Sequence, residues 1–368
     1  YLSSCTSLVL ATNAQSVPLT INPNKSVTIT YVDPTAEEVK IQGDFFVKES
    51  PIIPFLGMFS KDEKADMERG ENGVWTYTTE PLTSELYWYK FIVDDSSRYD
   101  TRNKDVVRDI STNYNYFIIP NGLADDYIDN KVKSGTLKYV WYPSSLNGMT
   151  KRRMAIYLPY GYAANKTKRY PVLYLLHGSG GDETSWADCG RLVQIMDNLI
   201  SSGRCDPMIV VMPNGNVELA AAPGEDPNNP YVAPTGNNVS SMFGKIESAF
   251  VTEIVKYVDD NYRTIKDKKY RAIAGLSLGG LHTLYTSINN PDVFDYVGLF
   301  SAQTTNALND KTIGEIKNLG NKWNKLKGKI PFRGDSSMGQ KISNLADHAS
   351  EDGCLAIYED SERKLAAF

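Results

Sequence analysis

Two rhythms of apolar and polar positions divide the chain. Between residues 26 and 120, short runs alternate: Val27-Thr28-Ile29-Thr30-Tyr31, Glu38-Val39-Lys40-Ile41-Gln42-Gly43, Val74-Trp75-Thr76-Tyr77-Thr78 and residues 86–93, with turn residues between them. Alternation of period two puts every second side chain on one face, so residues 22–122 are expected to form antiparallel strands of a β-sandwich. Residues 123–134 are polar and rich in Asp and Asn, the composition of a linker. From residue 135 onward strand-like and helix-like stretches alternate, which predicts a mainly parallel sheet with helices on both faces over 135–368. Residues 137–142 and 154–158 read as antiparallel opening strands. The runs 171–176 and 208–212 are almost wholly apolar, as strands buried on both faces are. Helical spacing covers 190–200 and 245–257, and 294–300 reads as a further strand.

One turn in this second stretch carries chemistry. The run beginning at Arg271 ends in Gly275-Leu276-Ser277-Leu278-Gly279, and a helical pattern follows. A serine between a strand and a helix sits on strained backbone that thrusts its hydroxyl above the sheet, and Gly275 and Gly279 leave room for the turn. Gly-x-Ser-x-Gly also occurs in ordinary tight turns. The strand before it and the helix after it select the reading of Ser277 as a nucleophile on an elbow. The expected fold is therefore an all-β sandwich domain followed by an α/β-hydrolase domain.

A second motif, His177-Gly178-Ser179-Gly180-Gly181, follows the first buried run. Acyl transfer develops negative charge on a carbonyl oxygen, and each backbone N–H aimed there in advance lowers the barrier by about 2.7–4 kcal/mol. Small residues let the backbone come close. The N–H of Leu278 is one expected oxyanion donor, and Ser179, with Gly178 second, supplies the other. A phosphate loop is the poorer reading, because neither a Gly-Lys-Ser/Thr ending nor a Rossmann acidic residue follows.

Composition acts mainly by exclusion. A length of 368 residues suits two domains better than one core. The net charge of −5 offers no basic surface for nucleic acid or an anionic membrane, and no apolar stretch is long enough to span a bilayer. Cys5, Cys189, Cys205 and Cys354 form neither a disulfide framework nor a zinc spacing, so no metal or other cofactor is expected. Cys189 and Cys205 flank a helical stretch, about 20 Å apart along its axis, and are expected as free thiols. Near the start, Leu8-Val9-Leu10-Ala11 and the small residues ending at Ala14 read as the tail of an export signal, which predicts a secreted or periplasmic protein. Leu2-Ser3-Ser4-Cys5 resembles a lipobox, the second reading being a surface lipoprotein held through Cys5.

Several motifs match together. Residues 170–186 (YPVLYLLHGSGGDETSW), 207–215 (PMIVVMPNG), 261–264 (NYRT), 271–280 (RAIAGLSLGG) and 294–302 (FDYVGLFSA) resemble the first carbohydrate esterase family over about 135–305. Gly43-Asp44-Phe45, residues 71–75, residues 87–94 and Tyr99-Asp100 resemble the immunoglobulin-like carbohydrate-binding modules that precede glycogen-branching enzymes and some bacterial esterases. The resemblance implies feruloyl esterase or acetyl xylan esterase activity on plant arabinoxylan, or on feruloylated or acetylated oligosaccharides, through an acyl-serine. It also implies substrate contacts from His177 and Asn214. Trp186 reads equally as a ferulate platform and as packing. Trp75 and Trp88 read first as core and second as sugar platforms, and the loop 217–241 reads as pocket wall and lid.

The serine needs an imidazole base and a carboxylate to orient it. Only three histidines exist. His177 belongs to the oxyanion loop, and His282, five positions past Ser277 on a helix, points about 140° away from it. His348 is the base by exclusion. Asp335 is the acid, with Asp347 second. The family's apolar strand ending in Gly and Asp, and its Gly-Gly-His-x-Trp loop, are not recognisable after about residue 321. A catalytically impaired esterase-like protein that binds carbohydrate is therefore the alternative function, and a mycolyl-type acyltransferase a third.

Overall fold

A computed structural model describes residues 17–46, 64–226, 245–290, 292–300 and the backbone of 357–358. Two compact units divide them, one holding residues up to 107 with 113–124, the other 108–112 with 125 onward.

The first region is built of short strands: β1 (Leu19–Ile21), β2 (Val27–Val32), β3 (Val39–Gly43), β4 (Lys64–Asp66), β5 (Glu68–Arg69), β6 (Val74–Thr78), β7 (Leu86–Val93), β8 (Ser96–Arg98), β9 (Val106–Asp109) and β10 (Thr112–Ile118). They form two sheets, ordered β1-β2-β6-β5 and β4-β3-β7-β10-β9, with β8 paired to β7. Alternation decides the faces: Tyr89, Phe91 and Val93 of β7 are buried with Ile29, Ile41, Trp75 and Phe117 in one apolar cluster. Trp75 is core, and its Nε1 donates to the Asp33 carbonyl at 3.0 Å. Trp88 lies on the other face of β7 from Tyr89, stacked on Tyr114 at 5.8 Å, with Lys90 Nζ over the same ring.

The second unit is one seven-stranded sheet, ordered β11-β12-β14-β13-β15-β16-β17. Its strands are β11 (Thr136–Pro143), β12 (Lys151–Leu158), β13 (Val172–Leu176), β14 (Ile209–Pro213), β15 (Arg271–Leu276), β16 (Tyr296–Phe300) and β17 (Ile357–Tyr358). β11 and β12 enter antiparallel, and the strands from β14 to β17 run parallel. Every residue of β13 and β14 is buried, because both faces are covered. Val172, Tyr174 and Leu176 face a cluster with Phe250, Ile254 and Leu281. Leu173 and Leu175 face the opposite cluster with Leu192, Met196 and Trp186. The covering helices are Leu192–Ser201, the elbow helix Leu278–Asn289 and a segment from Ile246 to Asn261 that loosens to a π-helix over Phe250–Val255.

Part of the stretch expected to link the domains is held within the second unit. Arg191 Nε donates to the Tyr127 carbonyl at 2.6 Å, and its Nη2 pairs with Asp129 at 2.9 Å. Asn198 Nδ2 donates to the carbonyls of Asp126 and Ile128, each at 3.0 Å. Residues 126–129 therefore run along helix Leu192–Ser201 from its N-cap Arg191 to Asn198.

Candidate active site

Strand register brings the two motifs together across nearly a hundred residues of chain. β13 and β15 are parallel neighbours with Leu176 opposite Gly275, so the loops that leave their C-terminal ends start side by side. Ligands of open α/β sheets bind at this edge. Ser277 is the N-cap of the elbow helix, with φ +53° and ψ −112°, a conformation that costs an L-residue of order 1–3 kcal/mol. Its N–H donates to the Phe300 carbonyl of β16 at 2.8 Å, which pins the turn to the next strand.

Close approach explains the glycines. A Cβ on Gly275 would lie 2.2 Å from the Gly279 carbonyl oxygen, and one on Gly279 would lie 2.5 Å from the carbonyl oxygens of Leu176 and His177. Gly279 thus lets the elbow helix sit directly on the start of the glycine-rich loop 177–181. A Cβ on Gly178 would make an ordinary 3.5 Å contact with Ser277 Cβ, so the Gly178 backbone runs beside Ser277. Ser179 and Gly180 follow in a turn where Gly180 has φ +78°. Leu278 is the first residue of the elbow helix, and N–H groups of a first helical turn have no intrahelical acceptor.

His177 is buried, and both ring nitrogens are engaged. Gly215 N–H donates to Nε2 at 2.7 Å, which makes Nε2 an acceptor and places the proton on Nδ1, which donates to the Gly178 carbonyl at 2.8 Å. Burial pushes its pKa down to about 4, so the ring is neutral at pH 7. His177 clamps the glycine-rich loop 177–181 to the loop after β14. It has no free nitrogen for a substrate, which removes it from the expected set of substrate contacts.

Asn214 is likewise committed. It is fully buried, its Nδ2 donates to Glu183 Oε2 at 2.9 Å and its Oδ1 accepts from Asn216 N–H at 2.8 Å. The expectation of a substrate contact from Asn214 gives way to an internal one. Trp186 resolves toward packing: it is buried in the core with its edge against Phe300 at 6.3 Å, which leaves no open ring face for a ferulate.

Of the remaining sequence-based candidates, His348, Asp335, Asp347 and residues 227–241 of the lid stretch lie outside the described residues, as does Cys5. His282 is buried within the elbow helix, its Nδ1 2.5 Å from Glu247 Oε1. Cys189 and Cys205 are free, and burial pushes the Cys189 thiol up to about 12. No cluster that could hold a metal occurs among the described residues.

Three residues that sequence reasoning passed over shape the site. Arg152 is buried and donates through Nη2 to the carbonyls of Asn214 at 2.8 Å and Asn216 at 2.5 Å, so a cation inside the sheet grips the loop after β14. Glu183, six residues after His177, accepts from Asn214 and from Ala222 N–H, each at 2.9 Å. Glu247 backs His282. Only Glu183 left a trace in sequence, as an acidic residue inside the motif that runs from His177 to Trp186.

A family model described as "Putative esterase" matches residues 145–363. Among curated relatives, an endo-1,4-beta-xylanase/feruloyl esterase of Xylanibacter ruminicola is 34% identical over 252 residues, covering 65% of this chain and 31% of that protein. Endo-1,4-beta-xylanase Y of Acetivibrio thermocellus is 28% identical over 187 residues, 48% of this chain and 15% of that protein. The chain spans less than a third of the length of either relative. Among solved structures, an enterochelin esterase from Shigella flexneri is similar at 13% identity with a TM-score of 0.56, over 88% of this chain and 91% of that one. At that identity the likeness shows a shared fold alone.

Proposed function

The chain belongs to the Esterase family, and from that premise we propose that it is a serine carboxylesterase acting on feruloyl or acetyl esters of plant xylan through an acyl-serine intermediate. One observation carries this reading: a serine at φ +53° on a strand-to-helix turn, with the backbone of a glycine-rich loop packed against its Cβ. The printed name of the Xylanibacter ruminicola relative supports the feruloyl class and a xylan context.

In the proposed reaction Ser277 Oγ attacks the ester carbonyl carbon while the base takes its proton. Charge gathers on the carbonyl oxygen, where the N–H groups of Leu278 and of Ser179, or Gly178, receive it. Collapse expels the sugar hydroxyl, protonated by the same base, and water then releases the acid from the serine. We assign the base to His348 and the acid to Asp335, with Asp347 second. Support for His348 comes from the hydrogen bonds that hold both ring nitrogens of His177, from the burial of His282 within the elbow helix, and from a family match that runs past both residues to 363. The N-terminal region, with two sheets around one aromatic cluster, supports a β-sandwich of the carbohydrate-binding-module kind. A secreted or periplasmic location follows from the same substrate class.

The test is hydrolysis of methyl ferulate and nitrophenyl acetate by the wild type, Ser277→Ala and His348→Ala. Each substitution is expected to lower kcat by at least about 10³-fold. A Ser277→Ala protein as fast as the wild type would overturn the nucleophile, and full activity in His348→Ala would overturn the base alone.

A further inference from the structure

Glu183 is a buried carboxylate for which the ester chemistry has no direct use. Its side chain is fully shielded from solvent, yet both oxygens are occupied: Oε2 by the Asn214 amide and Oε1 by the Ala222 N–H. These two donors bracket the loop 214–222, whose Gly215 N–H holds His177 Nε2. One end of the oxyanion loop is thus tied to this loop through His177, and the chain just beyond its other end through Glu183.

Resting on the esterase reading above, we propose that ionised Glu183 is a positioning residue: it holds loop 214–222 against the oxyanion loop, so that its protonation slackens the donors facing the acyl oxygen and slows turnover. Two good acceptor oxygens exist only in the carboxylate. Protonation turns one of them into a hydroxyl, a weaker acceptor, and loosens either the Asn214 or the Ala222 tie, and in both cases the Ala222 N–H loses the carboxylate charge it points at.

The charges around the group set where this happens. Burial, helped by the neighbouring Asp182 charge and opposed by the Ala222 N–H, brings the Glu183 carboxyl up to about 7. Burial also opposes ionisation of Asp182, but the Arg108 guanidinium of the same unit and the Thr184 donors outweigh it and hold that carboxyl below its ordinary value, so Asp182 is charged throughout this range. Arg153 Nη1 lies 3.6 Å from Glu183 Oε1 but only 2.7 Å from Glu225 Oε2, so the exposed Glu225 draws part of its charge away. The Arg153 guanidinium also lies over the Tyr139 ring at 4.4 Å, and the Tyr139 and Tyr142 phenols feel the Glu183 charge. Arg152 spends its Nη2 on loop carbonyls and does not pair with Glu183. The counter-charge that faces Glu183 is therefore Arg153, shared with Glu225.

Glu183→Gln keeps the shape and one acceptor but cannot titrate. The experiment compares the pH dependence of kcat and KM for the two proteins and follows the Ala222 amide resonance of each from pH 5 to 9. The expected result is a wild-type acid limb steeper than a single proton can give, reduced to a one-proton limb in Glu183→Gln. At pH 8 the variant should show a kcat about ten- to a hundredfold lower with KM nearly unchanged, the signature of a misplaced donor and not of lost binding. The Ala222 resonance should titrate near pH 7 in the wild type and stay flat in the variant. An unchanged acid limb in a folded Glu183→Gln protein, or an Ala222 resonance that does not titrate in the wild type, would overturn the proposal. Turnover that survives Ser277→Ala would instead sink the esterase reading, while the Ala222 resonance still reports on the tie.

Discussion

At the residue scale, the same side chain type takes different duties according to what surrounds it. His177 sits in the loop that would flank an acyl oxygen, yet its two hydrogen bonds leave it a neutral bridge between the Gly178 carbonyl and the Gly215 N–H. The consequence is measurable in stability. The folded pKa of about 4 lies below the ordinary value of 6.5, so below pH 6.5 the unfolded chain binds a proton that the folded state refuses. The contribution of His177 is complete above pH 6.5 and is lost as pH falls towards 4, at up to about 1.4 kcal/mol per pH unit. Gln offers one donor and one acceptor without titrating. His177→Gln should therefore flatten the fall of the urea midpoint between pH 6.5 and 4, and an equally steep fall in both proteins would contradict the neutral clamp.

At the scale of elements, loops are anchored by the strands and helices they leave. Arg191 caps helix Leu192–Ser201 in a left-handed conformation, φ +48°, while its guanidinium ties down Tyr127 and Asp129. A side chain in that conformation costs roughly 1 kcal/mol that glycine avoids. Two variants separate the effects. Arg191→Ala loses the ties and keeps the backbone cost, whereas Arg191→Gly loses the ties and sheds it. Both should open residues 125–134 to limited proteolysis, with Arg191→Gly more stable to urea than Arg191→Ala by about 1 kcal/mol. In the polar stretch expected to link the domains, the Asp129 carboxylate meets Arg191 and Gln194, while the bonds to Asp126, Tyr127 and Ile128 go to backbone carbonyls, which composition does not show.

At the scale of the whole molecule, two units each carry an apolar core of their own, and aromatic residues with similar sequence context divide between the core and a half-buried outer face. Trp75 is 5% exposed with its indole N–H satisfied, while Trp88 shares a face with Tyr114 and Lys90. If the first unit binds polysaccharide through that face, Trp88→Ala should reduce retention on insoluble xylan severalfold with little change in melting temperature. Trp75→Ala should instead destabilise the unit by about 3–5 kcal/mol. Equal retention of wild type and Trp88→Ala would remove the platform. What sequence alone determined was local: β13 and β14 read as doubly buried because nearly every position is apolar, and Ser277 read as an elbow because glycines, strand and helix all lie within a few positions of it. The partners of those motifs were not legible. Alternation says that Trp88 and Tyr89 face opposite sides of one strand, but not which side is core. A histidine beside an oxyanion loop looks like a substrate contact until a loop 38 residues away supplies Gly215 N–H. Glu183 and Arg152 look like surface charges until the sheet closes over them. Hydrogen-bond satisfaction and burial are properties of neighbours in space, and the parallel register of β13 with β14 and β15 is what makes those neighbours.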